Sequence, residues 1–394
     1  MTMEIYCDNA ATTALDPEVI EAILPFLTQN FGNPSSSHWA GRKVNEAIAD
    51  SRRLIAGILN ASDDEIYFTS GATEGINLAI SGVVLTYGIN HVITSKIEHK
   101  AVLQTISQLE KKGDVETSFV KLDERGNVDL DHLENLLRAN PRTLICLMHG
   151  NNETGNLTDI KAVSKLAQQY NAIFFTDTTQ TIGKYRFDLE QIPVDFLVGS
   201  AHKFHGPKGT GFIYINKKHR IKAQIFGGGQ EKGQRGGTEN VIGIIGLAKA
   251  MQVAYRDLDA NLEKTGKLKQ YMLSRLAISG VQDMDYNGES RSLEKSLSNI
   301  LNVSFPCLPE GSLVKILDAS GIAVSGGSAC SSQGSSHVIS ALRCRQNREN
   351  VRFSFSKFNT FDEIDHIVQA IAGIYRAGQA AQQNQSRFHF ELTN

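Results

Sequence analysis

Lys203 lies in Ser200-Ala201-His202-Lys203-Phe204-His205-Gly206-Pro207-Lys208-Gly209-Thr210-Gly211. An apolar run from Asp195 to Gly199 leads in, and a second, Gly211 to Ile215, leads out. A lysine at the end of a buried strand, beside small polar and imidazole groups, loses its proton more readily than a solvated one. It can then form an imine with a carbonyl cofactor. Gly-Pro-Lys-Gly by itself is turn chemistry, so the lysine needs partners to mean more. Asp177 is one. It follows the run Ile173 to Thr176 and precedes Thr178, Thr179 and Gln180. Pyridoxal phosphate requires a lysine for its aldehyde and a carboxylate for its pyridine nitrogen. Asp177 would keep that nitrogen protonated, and Gln180 could reach the ring's phenolic oxygen. The competing reading of Asp177 is a helix N-cap.

Four further stretches carry chemistry-bearing residues. Thr69-Ser70-Gly71-Ala72-Thr73-Glu74 follows an apolar run and opens a helical pattern, so its free N–H groups suit a phosphate. His99 closes the run that begins at Val92. There it is either a core histidine or a ring-stacking proton shuttle. Ser325 to Ser336 contains Cys330 among Gly, Ser and Ala. A free cysteine is usually a small buried hydrophobe, which is the reading for Cys146. Cys330 has nothing around it to form a core, so it is a candidate nucleophile. The glycine-rich stretch Gly227 to Asn240 is either a surface loop or part of an anion site supplied by a second subunit.

The elements that must position these groups follow from periodicity. Short apolar runs at Ile66–Phe68, Val92–Thr94, Phe119–Leu122, Leu144–Met148, Ile173–Thr176, Phe196–Val198 and Phe212–Ile215 alternate with helical patterns. That alternation predicts an α/β fold, a mostly parallel sheet flanked by helices. In such sheets ligands sit at the carboxyl ends of the strands, where Ser70 to Thr73, Glu98-His99, His149 to Asn152, Asp177 and Lys203 fall. The chain is expected to divide into a large cofactor-binding domain, 16–255, and a smaller α+β domain. The smaller domain takes 1–15 and 256–376 and carries the Cys330 loop. Residues 377–394, polar in composition, are expected to form a loose tail.

Bulk properties narrow the function. A net charge of −2 gives no basic footprint for nucleic acid. No apolar run is long enough to span a bilayer, and Met1 to Cys7 does not read as a secretory signal. Five scattered cysteines without a CxxC pair point to a reducing cytoplasm.

Together these motifs resemble the cysteine desulfurases of the pyridoxal-phosphate-dependent class V aminotransferase group, of the NifS and IscS kind. The resemblance runs from about Tyr6 to about Phe361. It rests on Asp8-Asn9-Ala10-Ala11-Thr12-Thr13, Phe31-Gly32-Asn33-Pro34-Ser35-Ser36, Ser70 to Glu74, Glu98-His99 and Asn151-Asn152-Glu153. Ser200 to Lys203, Gly227 to Glu231, Gly237 to Asn240 and Gly327-Ser328-Ala329-Cys330 complete it, all in the family's order.

The resemblance implies fold type I of the pyridoxal-phosphate enzymes and a set of residue roles. Lys203 carries the cofactor, Asp177 and Gln180 hold its ring, and His99 stacks on it. Ala72, Thr73, Ser200 and His202 hold the phosphate, with Thr238 reaching it from the second subunit of a homodimer. Asn152, counted with the cofactor-binding set, also binds the substrate carboxylate with Arg352. Cys330 takes the sulfur of L-cysteine as a persulfide, leaving L-alanine, and passes it to a protein acceptor such as an iron–sulfur scaffold or sulfur carrier. No resident metal is implied, although Cys330 is a transient ligand for an iron–sulfur cluster. The alternatives are a lyase releasing sulfide or selenium, or a non-catalytic partner in sulfur delivery. The chain departs from the family at Thr178 and Thr179, where Ala and Val are common, and at Arg235-Gly236-Gly237. The loop after Cys330 is about two residues shorter than in many relatives.

Overall fold

The computed structural model describes residues 4–308, 311–326, 336–342 and 348–392. The chain opens with β1 (Ile5–Tyr6), α1 (Pro17–Thr28), α2 (Trp39–Leu59) and β2 (Ile66–Thr69). Helix and strand then alternate through α3 (Ala72–Tyr87), β3 (His91–Thr94), α4 (Lys100–Lys111), β4 (Glu116–Phe119), α5 (Leu130–Ala139), β5 (Thr143–Cys146), α6 (Ile160–Gln169) and β6 (Ile173–Asp177). β7 (Phe196–Ser200), β8 (Gly211–Ile215), α7 (Val241–Arg256) and α8 (Leu258–Ala277) follow. The chain ends with β9 (Asp285–Tyr286), β10 (Ile300–Pro306), α9 (Leu313–Ala319), β11 (Ile322–Ala323), α10 (His337–Ala341), β12 (Arg348–Ser354) and α11 (Phe361–Leu392).

These elements form two compact units. The larger holds Thr12–Asn151 and Leu157–Leu258, and the smaller holds Met1–Ala11, Asn152–Asn156 and Asp259–Asn394. The larger unit is built on a seven-stranded sheet in the order β2-β8-β7-β6-β5-β3-β4. Strands β7, β6, β5, β3 and β4 run parallel, and β8 runs antiparallel to both of its neighbours. Side chains alternate between two cores. Leu197, Phe212 and Tyr214 enter one, with residues of α2, α5, α6 and α7. Phe196, Val198, Ile213 and Ile215 enter the other, with residues of α3 and α4. A strand has a side-chain period of two, so a sheet covered on both faces reads as an unbroken apolar run. That is why the strands were legible.

Local chemistry sets the helix ends. Asp16 caps α1 by accepting the Glu18 N–H, and Pro17 takes the first helical position. Asn60 ends α2 in the left-handed conformation at φ 52°.

The smaller unit carries an antiparallel sheet in the order β12-β10-β9, and β1 pairs with β11 in parallel. Its core joins Leu301, Val303 and Phe353 to Leu268, Met272, Ile364 and Ile367. The excursion Asn152–Asn156 is tied in by the Leu297 N–H to the Gly155 carbonyl at 2.8 Å. Asn302 Nδ2 also donates to the Glu153 carbonyl at 3.0 Å.

Three expectations need correction. The fourth strand is Glu116–Phe119, not Phe119–Leu122. Its place is set by pairing with β3, from His91↔Glu116 to Thr94↔Phe119, and a half-exposed edge strand needs no apolar run. The stretch expected as a loose tail continues α11 as far as Leu392. It is polar, but its Ala, Gln and Arg residues are compatible with a helix and no proline interrupts it. The units divide after Ala11 and Leu258 rather than at 16 and 255, and no shift in composition marks the 152–156 excursion.

Candidate active site

The carboxyl edge of the large sheet gathers most of the residues singled out in the sequence. Asp177 ends β6, Ser200 ends β7, and a single 3₁₀ turn, Ala201–Lys203, carries the lysine directly after it. His99 follows β3 and caps α4. Ala72 and Thr73 form the first turn of α3 just beyond β2. Because β8 is antiparallel to both neighbours, Thr69 and Ser200 pair with the same residue, Gly211. The turn after β2 is thereby brought beside the end of β7.

That turn is built for close backbone approach. Gly71 has φ 155°, outside the range of L side chains, and no side chain caps α3. A Cβ on Gly211 would lie 2.5 Å from the Gly199 carbonyl oxygen and 2.7 Å from Gly71 Cα. The start of a 16-residue helix therefore presents backbone N–H groups beside Ser200, an arrangement suited to a phosphate.

Hydrogen bonds fix the side chains around it. Asp177 is buried, and its Oδ1 accepts both the N–H and the hydroxyl of Thr179, at 2.9 and 2.5 Å. Its carbonyl accepts the His149 N–H at 3.0 Å. His99 Nδ1 accepts the Ala101 N–H at 3.1 Å. An accepting Nδ1 puts the proton of the neutral ring on Nε2. Glu98, next to it, is fully enclosed and accepts from Ser95 Oγ at 2.9 Å and the Met148 N–H at 3.0 Å. Burial, reinforced by Asp177, pushes the Glu98 carboxyl up to about 8 against those two bonds. It is therefore mostly protonated at neutral pH. Gln180 is buried, and its carbonyl accepts from Lys184 Nζ at 3.1 Å.

The lysine turn is tethered to the start of the unit. The Thr13 N–H and hydroxyl both donate to the His202 carbonyl, at 2.9 and 3.0 Å. The His205 N–H donates to Thr13 Oγ1 at 2.8 Å, and His205 itself has φ 69°. His202 Nδ1 lies 3.2 Å from Thr12 Oγ1. Burial, followed by the ammonium groups of Lys203, Lys208 and Lys184, lowers the His202 ring to about 4. It is neutral at physiological pH.

The donor set fits pyridoxal phosphate. A lysine, a carboxylate with one oxygen already held, a tautomer-fixed imidazole and an open helix N-terminus stand at the ends of neighbouring elements of one sheet. Thr238 is exposed within the loop before α7. His149, one of the polar residues at this edge, is a core histidine. It packs edge-on against Tyr185 and Phe187 at ring distances of 5.5 and 5.3 Å. Burial lowers it to about 4, with Asp159 opposing.

Arg352 and Asn152 belong to the smaller unit. Arg352 is 1% exposed. Its Nη1 donates to the Asn152 carbonyl at 2.7 Å, and its Nη2 to Asp8 Oδ1 at 2.6 Å. Its Nε is buried without a partner among the described residues. Cys330 lies outside the described residues, as does Cys344. Cys7 and Cys146 are buried, and burial pushes both thiols up. Cys307, expected to be less open than Cys330, is exposed.

Sequence reasoning did not find the contacts made by Gly211, Thr13 and Asp8. Gly211 read only as a strand start. Thr13 and Asp8 lie within the quoted Asp8 to Thr13 motif, which did not say what they touch.

The aminotransferase class-V family model matches residues 5–367. The cysteine desulfurase IscS of Dictyoglomus turgidum is 41% identical over 380 residues, covering 95% of each chain. A solved NifS-like protein superposes with a TM-score of 0.87 at 38% identity, covering 95% of this chain and 100% of that one. A structure of SspA in complex with cysteine matches with a TM-score of 0.77 at 31% identity, covering 91% and 100%.

Proposed function

The chain belongs to the aminotransferase class-V family, and on that premise we infer that it is a pyridoxal-phosphate-dependent cysteine desulfurase. The observation that carries this reading is the succession Lys203, Asp177 and His99 at the carboxyl ends of β7, β6 and β3 in one sheet. Full-length similarity to a desulfurase narrows the chemistry to cysteine.

Bound pyridoxal phosphate supplies an electron sink for the negative charge left when the substrate Cα loses its proton. Lys203 would hold the cofactor's aldehyde, and its Nζ would take the Cα proton of L-cysteine. Asp177 would keep the pyridine nitrogen protonated, and Gln180 would donate to the phenolic oxygen. His99 would lie against the ring and move protons at Nε2. The N–H groups and side chains of Ala72, Thr73, Ser200 and His202 hold the phosphate. Thr238 of a second subunit completes that cradle in a homodimer. Asn152 and Arg352 hold the substrate carboxylate, for which the planar guanidinium is suited.

The Cys330 thiolate attacks the substrate sulfur. The S–S bond forms as the C–S bond breaks, the electron pair of the C–S bond and one proton go to the substrate Cβ, the other thiol proton stays with the outer sulfur, and the products are L-alanine and a Cys330 persulfide. The terminal sulfur then passes to a protein acceptor for iron–sulfur cluster assembly or another thio-cofactor. Cys330 also serves as a transient cluster ligand. The reaction belongs in the cytoplasm, which keeps such thiols reduced.

Cys330→Ala is the test. It should retain cofactor and still bind L-cysteine, yet form no alanine. Wild-type protein given L-cysteine without reductant should carry one added sulfur on the peptide containing Cys330, and none on that containing the exposed Cys307. Alanine production at the wild-type rate by the variant would sink the persulfide mechanism. Pyruvate and sulfide at that rate would establish the lyase instead.

A further inference from the structure

The guanidinium of Arg352 already faces a carboxylate of its own chain. Asp8 follows β1, and its Oδ1 accepts from Arg352 Nη2 at 2.6 Å. The Arg352 side chain is 1% exposed and that of Asp8 18%. The Asn152 carbonyl occupies Nη1. Backbone bonds hold the arginine in place, since its N–H donates to the Ser325 carbonyl at 2.7 Å and its carbonyl accepts the Ser325 N–H at 3.3 Å. The buried Nε–H has no partner among the described residues. A charged donor left unpaired in a buried place is costly. It marks where a ligand oxygen belongs, and a carboxylate is the group that matches a guanidinium edge.

We propose that Asp8 is a specificity-determining residue that sets the affinity of this site for α-carboxylates. This rests on the reading of Arg352 as the substrate-carboxylate group. Asp8 aligns the guanidinium through Nη2, leaving Nε for the ligand. Its negative charge also neutralises part of the arginine's field and repels a second carboxylate brought to the same guanidinium. Two unit charges a few ångströms apart interact appreciably even when well solvated. The resting pair therefore weakens the hold on substrate and product alike, and speeds release of alanine once sulfur has left.

The experiment uses the holoenzyme and two probes that differ only in the carboxyl group, L-alanine and L-alaninamide. Their dissociation constants are read from the change in the bound cofactor's visible absorption. Asp8→Asn keeps an oxygen acceptor for Nη2 and removes the charge. Asp8→Ser, a smaller neutral residue, carries the comparison if that protein fails to fold. Either should bind L-alanine about fivefold more tightly and leave L-alaninamide unchanged. Arg352→Gln should abolish the preference for L-alanine. If it does so while the Asp8 variants bind L-alanine no more tightly than wild type, the proposal for Asp8 is overturned and Arg352 keeps its role. If Arg352→Gln retains the preference, the carboxylate reading of Arg352 fails, and the proposal fails with it.

Discussion

Thr179 holds the carboxylate of Asp177. Its hydroxyl and N–H both occupy Oδ1 of Asp177, which fixes the plane of the carboxylate. Thr179→Val removes the hydroxyl bond and keeps the shape. A hydrogen bond to a charged group contributes about 1.5–3 kcal/mol. The variant should hold the cofactor about tenfold more weakly by equilibrium dialysis, and Thr179→Ser should restore it. Unchanged retention in the valine variant would remove Thr179 from the site. His149 makes a prediction about pH. Its folded value is about 4 against an ordinary 6.5, because its ring is buried among aromatic groups. The unfolded chain therefore binds more protons between those values, so stability is fully present above 6.5 and is lost as pH falls towards 4. The loss is on the order of 3 kcal/mol. His149→Phe should flatten this acid limb in urea titrations, and an identical slope in both proteins would refute the assignment.

At the scale of elements, the junction of β2, β8 and β7 is held by the absence of a side chain. Gly211→Ala would push a methyl group into the Gly199 carbonyl and the Gly71 backbone. Overpacking of this kind costs about 1–3 kcal/mol, and here it falls on the turn at the start of α3. The variant should unfold at lower temperature and lose cofactor on gel filtration. Gly57→Ala is the matched control, since nothing lies within 4 Å of its would-be Cβ. In the exposed last turns of α2 it should stabilise by about 0.5–1 kcal/mol. If both variants behave alike, the close approach at Gly211 has no bearing on the cofactor. Periodicity made the sheet and the lysine, aspartate and histidine at its edge legible. It could not reveal Gly211's part, because residues 69 and 200 meet there only through strand pairing.

At the scale of the whole molecule, the smaller unit carries a buried ionisable staple. In the smaller unit Lys269 is wholly buried, and its Nζ donates to the Ser292 carbonyl, Ser296 Oγ and the Leu297 carbonyl at 3.0, 2.7 and 3.0 Å. This fastens the loop that also receives the 152–156 excursion. Burial lowers Lys269 to about 7 from 10.5, although its three oxygen partners favour the ammonium. The unfolded chain keeps the proton up to the higher value, so this lysine makes stability rise with pH between about 7 and 10.5. The difference in unfolding free energy between wild type and Lys269→Met should therefore change steadily from pH 7 to pH 10. A constant difference would show that Lys269 stays protonated throughout.

The sequence by itself determined the alternation of strands and helices, the family, and the residue types that pyridoxal phosphate and cysteine require. Those properties are local, set by side-chain period, turn chemistry and motif order. The tertiary structure decided where each of the polar residues at the strand ends packs. His149 and His202 read alike as candidates in sequence, yet one packs between aromatic rings and the other sits in the lysine turn held by Thr12 and Thr13. It also decided that Arg352 rests against Asp8, 344 positions away. No pattern along the chain encodes that contact, because it exists only once β1 and β12 have been folded into the same unit.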